Sequence, residues 1–150
     1  MSPDQTIPIA PYPTRSKQAA ALIDGVLTDV MVSSFSDKIM ITVTQNGRLA
    51  QWIQVPLDSF ASGLADTRLP MGSDEEEFSP LTHLTPKTLL GGSNMERETI
   101  GQLYATQIAG AIISKNPDEN RTILVGLGLS KVEATRENFF DLLDLIVHCL

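Results

Sequence analysis

One cysteine, one tryptophan, two tyrosines and two histidines are all that this 150-residue chain holds of those types, and each scarcity closes a route. Cys149 alone cannot form an internal disulfide, and with only His83 and His148 for company it cannot assemble a zinc site. This usage fits a reducing compartment. Hydrophobic residues make up 42%, yet no apolar run approaches the roughly 20 residues of a spanning helix. The Pro-rich, polar N-terminus lacks the basic and apolar regions of a signal peptide, so the chain is expected to stay inside the cell. Positive charge is also thin. Eleven basic residues are scattered from Arg15 to Arg136 against eighteen acidic ones, for a net charge of −7. Nucleic-acid binding needs a basic patch that replaces phosphate counterions, and none is written here. The acidic balance favours solubility and basic partner surfaces.

What is present is alternation. Residues 37–56 read as two strands joined by Asn46-Gly47, whose tolerance of positive φ suits a type I′ turn. The expected element is a β-hairpin. Ile39, Ile41 and Val43 share one face, and Met40, Thr42 and Thr44 the other, because side chains alternate with a period of two. Beyond the turn, Trp52 shares parity with Ala50 and Gln54, opposite Leu49, Ile53 and Val55. Both faces of the hairpin therefore carry apolar groups, and a two-faced sheet needs two covers.

Upstream, Lys17–Asp24 and Val26–Phe35 form another strand pair around Asp24-Gly25, which completes an expected four-stranded antiparallel meander. Residues 1–16, with Pro3, Pro8, Pro11 and Pro13, read as a disordered arm. A single domain is expected over residues 17–150, interrupted at about 58–84 by a long loop with the acidic run Asp74–Glu77, which reads as disordered and solvated. Thr85–Gly92 is a short extended segment ending in a glycine turn. Ser93 to Glu96 matches a capping box, opening a helix whose stripe Ile100, Tyr104, Ile108, Ile112 runs to about Asn116, where Pro117 stops it. Arg121–Leu129 follows as a strand with Ile123, Val125, Leu127 and Leu129 on one face. The last helix, beginning between Ser130 and Thr135, repeats Phe139, Leu142, Leu143, Ile146, Leu150. This order predicts an α+β fold: a mainly antiparallel sheet, made of a four-stranded meander plus a later strand, with two helices packed on one face.

Chemistry is sparse. Gly126-Leu-Gly128 lacks the third glycine and the downstream acid of a dinucleotide loop, and its better reading is a strand that lets a helix or a partner approach closely. Gly91-Gly92 has no Walker lysine after it and reads as a turn. His148 and Cys149 are consecutive on a helix, so their side chains diverge by about 100° and no third group orients them; Cys149 reads as a small buried residue. Asp24 and Asp29 straddle a turn and could be read as an acid–base pair, but aspartates are common at turns and strand edges. The acidic run lacks the spaced ligands and turn glycine of a calcium loop. No catalytic residue, cofactor or metal is expected, and the chain reads as a non-enzyme.

Three features remain distinctive: the strand Ile39–Gln45 running into Asn46-Gly47-Arg48, the segment Thr85-x-Lys87-x-Leu89-Leu90-Gly91 ahead of a helix, and the closing strand Ile123–Leu129 with its C-terminal helix. In this order and at this length the chain resembles the proteasome assembly chaperone 3 family from about Lys17 to Leu150, departing from it in a longer acidic insertion between Leu57 and Thr82. The resemblance implies a small non-enzymatic protein, cytoplasmic and also open to the nucleus, that pairs with assembly chaperone 4. The pair binds proteasome α-subunits and promotes formation of the 20S α-ring; nucleic acid and membrane are not among its partners. Whether the isolated chain forms a homodimer stays open. Met31, Met40, Thr42 and Trp52 are the candidate partner-facing residues, because Met and aromatic groups are favoured in interface cores. Burial in the chain's own core is the competing reading. Lys87, Leu89 and Leu90 form a second candidate contact. The alternative class is a longin- or roadblock-like trafficking scaffold that dimerises through a similar sheet.

Overall fold

The structure, a computed structural model, describes residues 14–58, 84–92, 94–131 and 135–150. Within them lie β1 (Arg15–Ile23), β2 (Val26–Ser34), β3 (Lys38–Gln45), β4 (Gln51–Pro56), β5 (Lys87–Leu90), α1 (Met95–Lys115), β6 (Thr122–Gly128) and α2 (Arg136–Cys149). β1 starts ahead of the expected Lys17, so the end of the supposed arm is strand; the expected capping residue Ser93, His83 and the acidic run lie outside the described residues. Asp24 (φ 51°) and Gly25 (φ 72°) make the first tight turn as anticipated.

The strands form one six-stranded sheet in the order β1-β2-β3-β6-β4-β5. This corrects the expected hairpin and with it the four-stranded meander. Asn46 (φ 57°) and Gly47 (φ 66°) do adopt the left-handed geometry of a type I′ turn, and Gln45 bridges Arg48. The chain then leaves the ladder. β6 enters between β3 and β4, parallel to the first and antiparallel to the second, so the sheet is mixed and only β1-β2-β3 is a meander. Arg48 and Leu49 cross the end of β6 with the Arg48 carbonyl lying against Gly128, where any side chain would collide with it. The physical reason is burial: β6 reads Thr-Ile-Leu-Val-Gly-Leu-Gly and has no polar side chain after its first residue, as suits a central strand.

Both ends of β6 are pinned to the meander. At its start, the Arg121 guanidinium forks onto Glu119 (Nε to Oε1 2.7 Å, Nη2 to Oε2 2.8 Å) while Nη1 donates to Ser34 Oγ (2.7 Å) and to the Phe35 carbonyl (2.8 Å). Beyond its far end, Gln45 Oε1 accepts from Ser130 N (2.8 Å) and Oγ (2.9 Å), and Gln45 Nε2 donates to Thr28 Oγ1 (3.0 Å). These bonds satisfy the side chain of Gln45, one of the few buried polar residues.

α1 and α2 cover one face only. Ile39, Ile41, Val43, Ile53, Val55, Ile123, Val125 and Leu127 meet Tyr104, Ala105, Ile108, Ile112, Leu142 and Ile146 in a continuous core. α1 lies against β4, β5 and β6, and α2 against β1 and β2. The Tyr104 and Phe139 rings touch at 4.5 Å between centroids and join the helices. The cap of α1 is Asn94, one residue beyond the expected one, its Oδ1 accepting from Glu96 N (3.0 Å) and Arg97 N (3.5 Å). α1 ends at Asn116 ahead of Pro117 as expected, and Thr135 caps α2.

Candidate functional site

Among the described residues, no helix lies over the opposite sheet face. Register alone writes its rows. Gln18, Met31, Thr42, Gly126, Trp52 and Leu90 are successive cross-strand partners across all six strands. The adjoining row runs Ser16, Ser33, Met40, Leu124, Gln54, Lys87. Met31, Met40, Thr42 and Trp52 therefore lie together on the face away from α1 and α2, all half-buried, whereas their strand neighbours Val30, Val32, Ile41, Val43 and Ile53 form the core.

Trp52 owes its position to Gly126. A Cβ there would come within 2.9 Å of the indole Cη2 and Cζ3, so the ring lies across the bare backbone of β6. The glycine admits a close approach, but what approaches is the tryptophan of the adjacent strand and not the expected helix or partner. On the β1–β3 side, two shallow depressions of about 450 and 500 Å³ flank Met31, whose sulfur accepts a long hydrogen bond from Gln18 Nε2 (3.6 Å). The indole occupies the space over Gly126, and the two hollows lie on the Met31 side.

The second candidate group sits on the edge strand β5. Leu90 pairs with Trp52 and Lys87 with Gln54, so these two extend the face already described. Leu89 falls where the register shifts between Trp52 and Ile53; it is 44% exposed, and Leu90 67%. Sequence reasoning missed Leu124 and the exposed pair Leu22 and Leu27 at the β1–β2 end. Alternation within residues 121–129 was enough to find Leu124, on the face opposite Ile123 and Val125.

The residues weighed for catalysis are dispersed. Cys149 is buried, and desolvation pushes its thiol up despite the opposing charge of Lys17, which disfavours a thiolate. His148 beside it is exposed on α2. Asp24 pairs with Lys131 (3.2 Å), and Asp29 stands on the open face between Ala20 and Thr44. Burial raises the Tyr104 phenol to about 12.

Among the described residues, a sheet with helices on one side and Met, Trp and Leu side chains on the other makes a two-layer α+β scaffold. The same fold occurs in a chain of a crystal structure of a chaperone complex for yeast 20S proteasome assembly, with a TM-score of 0.57 at 16% identity, covering 92% of this chain and 98% of that one. The family model for proteasome assembly chaperone 3 matches residues 41–149. Human proteasome assembly chaperone 3 is 30% identical over 97 residues, 62% of this chain and 76% of the human one. The Nematostella vectensis protein of that name is 32% identical over 113 residues, 75% of this chain and 73% of its own. The chain belongs to the proteasome assembly chaperone 3 family.

Proposed function

We propose that this protein acts by binding and not by catalysis, promoting 20S proteasome α-ring formation as a heterodimer with an assembly chaperone 4-like protein, in the cytoplasm and the nucleus. The observation that supports this reading is the sheet face that the described helices leave open, where Met31, Met40, Trp52, Leu124 and Leu90 gather around Thr42 next to hollows at Met31. A second sheet packed there would complete a helix–sheet–sheet–helix sandwich, with aligned sheets about 10 Å apart. The α-subunits of the proteasome are the clients of the pair.

Co-purification tests the reading. Tagged protein expressed in its own cells recovers a small chaperone partner together with proteasome α-subunits; recovery of neither overturns the assembly role, and recovery of membrane-trafficking components instead favours the longin-like alternative. Trp52→Asp places an unpaired charge at the centre of the face. Native mass spectrometry then shows a folded monomer, whereas an unchanged dimer mass rejects the face assignment.

A further inference from the structure

The crossing of Arg48 and Leu49 over the end of β6 builds a second surface, on the rim of the sheet. There a depression of about 570 Å³ has Arg48, Leu49, Ala50, Arg97, Leu129 and Ser130 among its lining residues. Among the described residues two arginines and no carboxylate line it, in a chain whose net charge is −7. Arg97 comes from the first turn of α1, so helix and crossover each contribute one guanidinium. Among the described residues the ion pairs are Lys38–Asp37, Arg121–Glu119 and Lys131–Asp24; Arg48 and Arg97 enter none of them. Two like charges set at one depression repel until an anion neutralises them. Beside them Leu49, 43% exposed, Ala50 and Leu129 supply an apolar floor.

From this placement we infer that the rim depression binds an acidic peptide segment of another protein, its carboxylates on Arg48 and Arg97 and an apolar side chain on Leu49. Guanidiniums take carboxylates in bidentate fashion, and the apolar floor is wasted on a free inorganic anion. The Ser130 hydroxyl and amide are both committed to Gln45, so the oxyanion chemistry rests on the arginines. The site lies at the strand ends and is separate from the open sheet face.

Fluorescence anisotropy with a short fluorescein-labelled peptide of alternating Glu and Leu tests this on the full chain. Binding weakens as NaCl rises. Arg48→Glu and Arg97→Glu each lose roughly fivefold in affinity, and the double variant on the order of twentyfold, while thermal melts stay at the wild-type temperature because both side chains reach solvent. Leu49→Ser weakens binding with no change in charge. Lys115→Glu, at the far end of α1, makes the same charge change and leaves affinity unaltered; an equal loss there means diffuse electrostatics and overturns the site. A double variant that binds as tightly as wild type, or a protein that takes up inorganic phosphate and not the peptide, overturns it as well.

Discussion

Replacing Gly126 with alanine puts one methyl group under the only tryptophan in the chain. The added Cβ would stand 2.9 Å from two indole carbons and 3.1 Å from a third, where ordinary contact begins at 3.4 Å. The ring must rise by about 0.5 Å or tilt, giving up part of its dispersion contact with β6. Overpacking of this kind costs about 1–3 kcal/mol. Alanine recovers about 0.5–1 kcal/mol by losing less backbone freedom than glycine on folding. The steric term wins, but narrowly, because the outer side of the half-buried indole is free to move. Gly126→Ala should therefore destabilise by about 1 kcal/mol, a fall in Tm of roughly 2–4 °C. Thermal melts followed by circular dichroism measure this, and the emission of Trp52 reports the ring's displacement. A cycle with Trp52→Leu isolates the cause: Gly126→Ala becomes neutral or stabilising once the indole is gone. An unchanged or higher Tm in the single variant, or strict additivity in the cycle, refutes the seating of Trp52 on Gly126.

Arg121→Met strips the fork at the start of β6 and should lower stability by about 1–3 kcal/mol in urea titrations. Hydrogen bonding to Arg121 holds the Glu119 carboxyl below its ordinary value, so its contribution is present above that ordinary value and is lost as pH falls through the depressed one; the variant's stability should vary less with pH across that acid window. Cys149, buried with its thiol pushed up, should resist alkylation by iodoacetamide at neutral pH and react fully in urea; rapid labelling of the folded chain contradicts the burial. Asn94→Ala removes the cap of α1 and should cost about 1 kcal/mol, read as a lower urea midpoint, with no change expected in the opposite end of the helix at Asn116.

What could be read from the residues was local. Asp24-Gly25 and Asn46-Gly47 were recognisable as turns because positive φ is a property of two residues, and α1 ends where Pro117 dictates. The parity of β2, β3 and β4 separated Met31, Met40, Thr42 and Trp52 from Val30, Ile41, Val43 and Ile53 without knowledge of the sheet order, but left open which set lies under the helices. Strand order itself has no such local signature. A strong Asn-Gly turn argues for a hairpin, and the competing claim comes from β6, dozens of residues later, through its unbroken apolar composition and the bare backbones of Gly126 and Gly128. The cap at Asn94 was misplaced by one residue because Ser93 and Asn94 are both good capping residues, and spacing to Glu96 favoured the serine.

The insertion of β6 also sets a constraint in time. Until residues 122–128 have left the ribosome, β1–β3 and β4–β5 have no ladder in common, because β6 alone hydrogen-bonds to both halves. The pairing that β3 and β4 are first offered, across the Asn46-Gly47 turn, is one that the finished sheet does not contain. The finished sheet keeps that turn without its hairpin, so any pairing of β3 with β4 made before β6 is synthesised has to open by one strand's width to admit it.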